Sequence, residues 1–334
     1  MKALVIGGTG VIGTGIVKQF FARGAEVTSF DRHRRPGLVP PELKRIRGDR
    51  TKFRAFERTF ESSRYDVVVD LVCFTPEEAE STCRTFGGRC GHLQFCSTVC
   101  VYGTKIPPTV LVDEQFPAEP ETPYGRAKLA CERIFERAAR ERSFALTVFR
   151  PSNTYGPGGP IIDQLEIDGV AWDRVVRGLP VFCAGDGLGL WQPTHRDDCG
   201  KLFAYAALNP RTYGETYNAT GDAVCTWREY YRRAARALDT RAKLIFVPAT
   251  WLTFAPGDRF SFLREISQFH GAYSSAKAKS HVPEFRATID FETGARATFA
   301  DLRRRGAWRS SESDPDYQRL VDRALAQGFR VVEA

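Results

Sequence analysis

The apolar run Lys2–Ile6 passes directly into GGTGVIGTG, residues 7–15, and then into the amphipathic stretch IVKQFFARG. A buried strand, a glycine turn and a helix stopped by Gly24, in that order, leave a chain few folds to adopt. Gly7, Gly10 and Gly13 let the backbone turn sharply, approach a pyrophosphate closely and pack helix on sheet. The helix N-terminus adds positive potential where the phosphates would lie. The next strand, EVTSF, ends in Asp31, an acid about twenty residues beyond the turn. A carboxylate there accepts hydrogen bonds from adenosine ribose hydroxyls and favours NAD over NADP. Its neighbours Arg32, Arg34 and Arg35 keep NADP open, because one of them could hold a 2′-phosphate.

Further strands follow at 44–46, in YDVVVDLV, in HLQFCS and in FALTVFR, with helical stretches at 76–85 and 124–142. Runs apolar on both faces suit a parallel sheet covered on both sides. The alternation predicts an α/β fold, a doubly wound parallel sheet. Beyond Pro151 the loop-forming segments YGPGGP and CAGDGLG break the pattern, and helices are expected at 198–208, 226–238 and from Thr298 onward. The expected division is a dinucleotide-binding domain at 1–155 with a return segment at about 193–220. Residues 156–192 and 221–334 then form a smaller C-terminal substrate lobe.

Composition narrows the class. With 43% hydrophobic and 26% charged residues over 334 positions, the chain is globular rather than disordered. No apolar run reaches the roughly eighteen residues of a membrane-spanning helix, and the N-terminus lacks a secretory pattern, so a cytoplasmic protein with no membrane partner is expected. The nine cysteines are scattered and show no CxxC pairing, which reads as reduced thiols and no metal site. The net charge of +8 includes Arg303, Arg304, Arg305 and Arg309. No zinc-finger or RNP-like motif accompanies it, so it points to an anionic small molecule rather than to nucleic acid.

Two segments carry reaction chemistry. In YGRAK, Tyr124 and Lys128 are four residues apart and share a helix face. An ammonium beside a phenol lowers the phenol's pKa toward a range useful for proton transfer. The other segment, CSTVCVYG at 96–103, ends a strand with hydroxyl residues. Together with GGTGVIG, Asp31, GDR at 48–50, RPSNTYGPG, HRDD and TGD, these motifs resemble the extended short-chain dehydrogenase/reductase superfamily in its NAD-dependent sugar epimerase/dehydratase branch. The resemblance spans nearly the whole chain. It implies a Rossmann fold and a homodimer joined through the helices at 76–85 and 124–142.

It also implies roles. Thr98, four residues before Tyr102, would hydrogen-bond the reacting oxygen, Tyr124 would exchange its proton, and Lys128 would hold the nicotinamide ribose. Asp49 would meet the adenine, with Arg50 and Leu71 also against the cofactor. Ser97 and Asn153 would line the substrate side. The dehydratases of this branch carry an Asp-Glu pair after the hydroxyl residue, where this chain has Val99 and Cys100, which argues against dehydration. Cys100 stands where some epimerases carry a catalytic cysteine, and packing is its competing role. Trp191 and His195, in WQPTHRDD, either touch substrate or pack.

Three functions remain. The leading expectation is NAD-dependent epimerisation of a sugar or nucleotide sugar through a transient ketone. The second is reduction or dehydrogenation of a sugar-like substrate with a dissociating NAD(P). The third is a non-catalytic RNA-binding relative, which the presence of both Tyr124 and Lys128 disfavours.

Overall fold

Strands β1 (Lys2–Ile6), β2 (Glu26–Asp31), β3 (Lys44–Arg47), β4 (Tyr65–Asp70), β5 (Cys90–Cys96), β6 (Ala145–Pro151) and β7 (Glu215–Ala219) make one sheet in a computed structural model of the chain, in the order β7-β6-β5-β4-β1-β2-β3. Every neighbouring pair is parallel. The structure describes residues 1–32, 38–105, 110–141, 143–253 and 259–334. Helices α1 (Val11–Ala22), α2 (Phe53–Phe60), α3 (Pro76–Phe86), α4 (Pro123–Arg140), α5 (Arg196–Ala206) and α6 (Ala276–His281) belong to the same unit.

The pleat explains the double covering. Successive residues of β1 point to opposite faces, so Ala3 and Val5 enter one core while Leu4 and Ile6 enter the other. The first core gathers Ile16, Val17 and Phe20 of α1 with Leu202 and Phe203 of α5. The second gathers Phe56 and Phe60 of α2, Phe86 of α3 and Phe135 of α4. This is the expected doubly wound Rossmann sheet. The strand order reverses between β1 and β4, and in such sheets ligands bind at the strand ends flanking that point.

Contacts divide the chain into two units: 1–154, 194–222 and 273–288, and then 155–193, 223–272 and 289–334. Residues 273–288 thus fall in the first unit, whereas the sequence placed them in the lobe. The reason is burial, because Ala278, Val282 and Phe285 complete the first core. The second unit has a three-stranded sheet, with 181–184 and 243–247 parallel and 331–333 antiparallel to 243–247. Its core stacks Trp172, Trp227, Tyr230, Tyr231, Phe291 and Phe299.

Three elements depart from the sequence expectation. Helix α2 and strand β7 carry polar or charged residues that masked their type, and packing decided them. The basic helix of the tail begins at Phe291, not Thr298, because Asp290 accepts from Thr293 N and caps it. Among the described residues no helix is long and apolar enough to cross a membrane.

Candidate active site

The glycine turn shapes a cleft of about 450 Å³ at the C-terminal ends of β1, β2 and β4. Gly7 has φ of 93°, a left-handed conformation that side chains avoid. A Cβ at Gly13 would lie 2.3 Å from the Gly7 carbonyl oxygen and 2.8 Å from Gly8 Cα, so only glycine lets α1 start this close to the turn. Gly10 caps α1 without any side-chain acceptor, leaving the first N–H groups facing the cleft region. A cradle that a Cβ would fill, opening on a helix N-terminus, fits the pyrophosphate of a dinucleotide.

Asp31 and Arg32 line the same cleft, and the Ser29 hydroxyl donates to the Asp31 carboxylate. Arg34 and Arg35 lie outside the described residues. Asp49 lines the cleft as well. Its Oδ1 accepts from Thr51 N at 3.0 Å and from Thr51 Oγ1 at 2.8 Å, and these bonds hold the carboxyl below its usual range.

Arg50 lines the same cleft and is anchored from behind. It is buried, with Nη1 on both Asp70 oxygens at 3.0 and 2.7 Å, and Nη2 on Glu78 O at 2.6 Å and Thr82 Oγ1 at 2.9 Å. Both its Nη groups are engaged in this network, so it clamps the cleft wall that it lines. Leu71, beside the glycine turn, packs against the first core, while Val72 and Phe74 line the cleft. The sequence offered no signal for how these two pack, because the segments after β3 and β4 that hold them have no regular period.

The hydroxyl residues expected to react follow the end of β5. Thr98 caps the short turn Val99–Tyr102, its Oγ1 accepting from Cys100 N at 3.2 Å, and it draws the Tyr124 phenol's pKa down. Thr122 caps α4 through Gly125 N at 3.0 Å, and Pro123 occupies the first helical position. Tyr124 therefore stands in the first turn of α4. Gly125 permits the approach, since a Cβ there would lie 2.6 Å from the Cys100 carbonyl oxygen.

Lys128 corrects one expectation. Its side chain is buried, and Nζ donates to Cys73 O at 2.8 Å and Cys96 O at 2.5 Å, over the Phe95 ring at 4.3 Å. The ammonium is fastened to the loop after β4 and to the end of β5 rather than to the phenol. Tyr124 is accordingly pushed up, by burial first and then by Cys96 and Cys100, with the Thr98 bond opposing. The residue is still 43% exposed, so solvent screens part of that push.

The remaining residues separate by role. Ser97 Oγ and Asn153 Nδ2 are buried polar atoms without a hydrogen-bond partner among the described residues. Unmet donors of this kind are expected where a ligand supplies the partner. Cys100 is half-buried and burial raises its thiol, which disfavours a thiolate base. His195 caps α5, its Nδ1 accepting from Asp197 N at 3.2 Å, and burial lowers its pKa. Trp191 belongs to the second unit, where it stacks on Trp227 at 4.5 Å and its indole N–H has no partner among the described residues.

A doubly wound sheet, a glycine cradle at its reversal point and a Thr-Tyr-Lys set on β5 and α4 define a dinucleotide-binding fold of the extended short-chain dehydrogenase/reductase class. The chain belongs to the NAD dependent epimerase/dehydratase family, whose model it matches over residues 3–87 and 79–220. It is 28% identical over 286 residues to a 2′-dehydrokanamycin reductase from Streptomyces kanamyceticus, covering 86% of this chain and 80% of the relative. It is 29% identical over 184 residues to a UDP-glucose 4-epimerase from Lacticaseibacillus casei, covering 48% of this chain and 54% of the relative. The fold is shared with the UDP-glucose 4-epimerase structure from Thermotoga maritima, with TM-score 0.73 at 21% identity over 91% of this chain and 99% of that one.

Proposed function

We propose that this chain is an NAD-dependent enzyme acting at one carbinol carbon of a sugar or nucleotide sugar, and that it epimerises that carbon through a transient ketone. The observation that carries the reading is how closely the first turn of α4 meets the turn after β5. A Cβ on Gly125 would lie 2.6 Å from the Cys100 carbonyl oxygen, Cys100 N is held by Thr98 Oγ1, and Thr98 pulls down the pKa of the neighbouring Tyr124 phenol. Bound NAD supplies a hydride acceptor that can return what it took. Gly7, Gly10 and Gly13 would hold its pyrophosphate, Asp31 its adenosine ribose, Asp49 its adenine and Lys128 its nicotinamide ribose.

The chain's own residues handle the proton. A carbinol can become a ketone only if its hydroxyl proton leaves with the hydride. Tyr124 Oη takes that proton and gives it back, while Thr98 Oγ1 holds the reacting oxygen in line. A tyrosine is protonated at neutral pH, and burial holds the Tyr124 phenol more firmly so before substrate binds. Substrate and cofactor must therefore rearrange the site's polarity for proton transfer. The raised Cys100 thiol supports oxidation and return at a single carbon over deprotonation at a neighbouring one.

A second reading is net reduction with an NAD(P)H that binds and leaves. The reductase relative covers far more of this chain than the epimerase relative does, which favours it. Incubating the purified protein with candidate sugars and substoichiometric NAD separates the two. Epimerisation turns over many substrates per NAD with no net NADH, whereas reduction consumes one NAD(P)H per product. Absence of either under all cofactor conditions refutes both readings.

A further inference from the structure

We propose that Phe74 is the aromatic wall against which the nicotinamide end of the dinucleotide packs, a role that rests on the reading of the cleft as an NAD site. One ring would then separate the protein's affinity for NAD from its affinity for ADP-ribose, the same molecule without nicotinamide.

Phe74 joins a fixed main chain to a bare side chain. It lies in the loop between β4 and α3. Just before it, the Cys73 carbonyl oxygen accepts from Lys128 Nζ at 2.8 Å. Phe74 N donates to Glu78 Oε2 at 2.5 Å, and Thr75 N donates to the same oxygen at 3.2 Å. Thr75 and Glu78 also form the capping box of α3, so the loop is tied to the start of α3 and to α4. A loop held at three successive residues does not expose a phenyl ring through slackness. Yet Phe74 is 45% exposed, and among the described residues it is the one exposed large apolar side chain that lines the cleft. An aromatic ring fixed bare in a pocket is the usual means of gripping a flat ligand group.

Strand order selects the half of the dinucleotide that meets it. Asp31 ends β2 and Asp49 follows β3, on one side of β1, whereas β4 and β5 lie on the other side. A dinucleotide with its adenosine at Asp31 and Asp49 and its pyrophosphate at Gly7 and Gly10 continues toward β4, where Phe74 stands. The Lys128 ammonium, assigned above to the nicotinamide ribose, is 5.2 Å from the centre of the Phe74 ring. Phe74 therefore neighbours the residue that would hold that ribose. Nicotinamide is a flat ring that can stack on a phenyl group or meet its edge, and the pyrophosphate gains nothing from such a surface.

The test is calorimetric titration of the wild type, Phe74→Ala and Phe74→Tyr with NAD and with ADP-ribose. Phe74→Ala should lose roughly tenfold in NAD affinity and less than about twofold in ADP-ribose affinity, the weight of one aromatic contact. Phe74→Tyr keeps the ring and should hold both affinities within about twofold of the wild type. Circular dichroism checks that each variant is folded. If the alanine variant is not, Phe74→Leu, which keeps bulk without the flat face, repeats the comparison with the same selective loss expected. Equal losses for the two ligands put the ring on the adenosine half and overturn the proposal. Unchanged NAD affinity without the aromatic ring removes Phe74 from the site and also overturns it. A wild-type protein that binds neither compound refutes the cleft reading itself, and the proposal falls with it.

Discussion

Asp163 gives a direct electrostatic test of the second unit. It is buried, with Oδ1 accepting from Leu165 N at 2.7 Å and Glu166 N at 3.1 Å. A Cβ on Gly169 would lie 2.7 Å from Asp163 Oδ2 and 2.8 Å from Glu166 Oε2, so the two carboxyl groups face one small space. Burial, and then Glu166, push Asp163 up to about 7. A carboxyl raised on folding stabilises the folded state fully below its unfolded value, and that stability is lost as pH climbs through the folded value. The window is therefore about pH 4 to 7. At ~1.4 kcal/mol per pH unit over about three units, the ceiling is ~4 kcal/mol. Glu166 is also raised and shares the titration, so the measured loss should be about half that ceiling or more. All five tryptophans (Trp172, Trp191, Trp227, Trp251 and Trp308) lie in the second unit, so their fluorescence during urea unfolding reports on it alone. Stability should fall from pH 5 to pH 8 in the wild type. Asp163→Asn keeps the Oδ1 acceptor and mimics the protonated acid, so its curve should be distinctly flatter. Parallel pH profiles for the two proteins would refute a neutral buried carboxyl at this position.

Tyr124→Phe keeps the ring but removes the proton carrier, so steady-state turnover should drop ~100- to 10,000-fold while calorimetric NAD binding persists; near-full turnover sinks the assignment. Asp31→Ala should narrow or invert a preference for NAD over NADP, because a 2′-phosphate no longer meets a carboxylate; titrations with both cofactors read it, and tighter NADP binding by the unaltered protein would reject the NAD assignment. Gly13→Ala forces a Cβ against backbone that cannot move aside, and should cost ~1–3 kcal/mol in chemical denaturation together with the loss of measurable NAD binding. Light scattering at micromolar concentration should report a homodimer, as the family resemblance of α3 and α4 implies, and a monomer would reject it.

Local chemistry made much of this molecule readable from its residues. Strand, glycine turn and helix were visible at 2–22 because apolar period, missing side chains and a helix stop are properties of adjacent residues. The same holds for Asp31 at a strand end, and for Tyr124 and Lys128 on one helix. Tertiary structure alone decided what depends on neighbours distant in sequence. Arg50 became a buried clamp because Asp70 and Thr82, twenty and thirty-two residues on, surround it. Leu71 turned into the core and left the cleft to Val72 and Phe74. Residues 273–288 joined the first unit because an apolar helix face found open core there. Lys128 illustrates the division most plainly. Its spacing from Tyr124 follows from helix geometry, but its partners are two main-chain carbonyls, one at the end of β5 and one in the loop after β4, because in a buried site an ammonium goes to the nearest acceptors that can satisfy it.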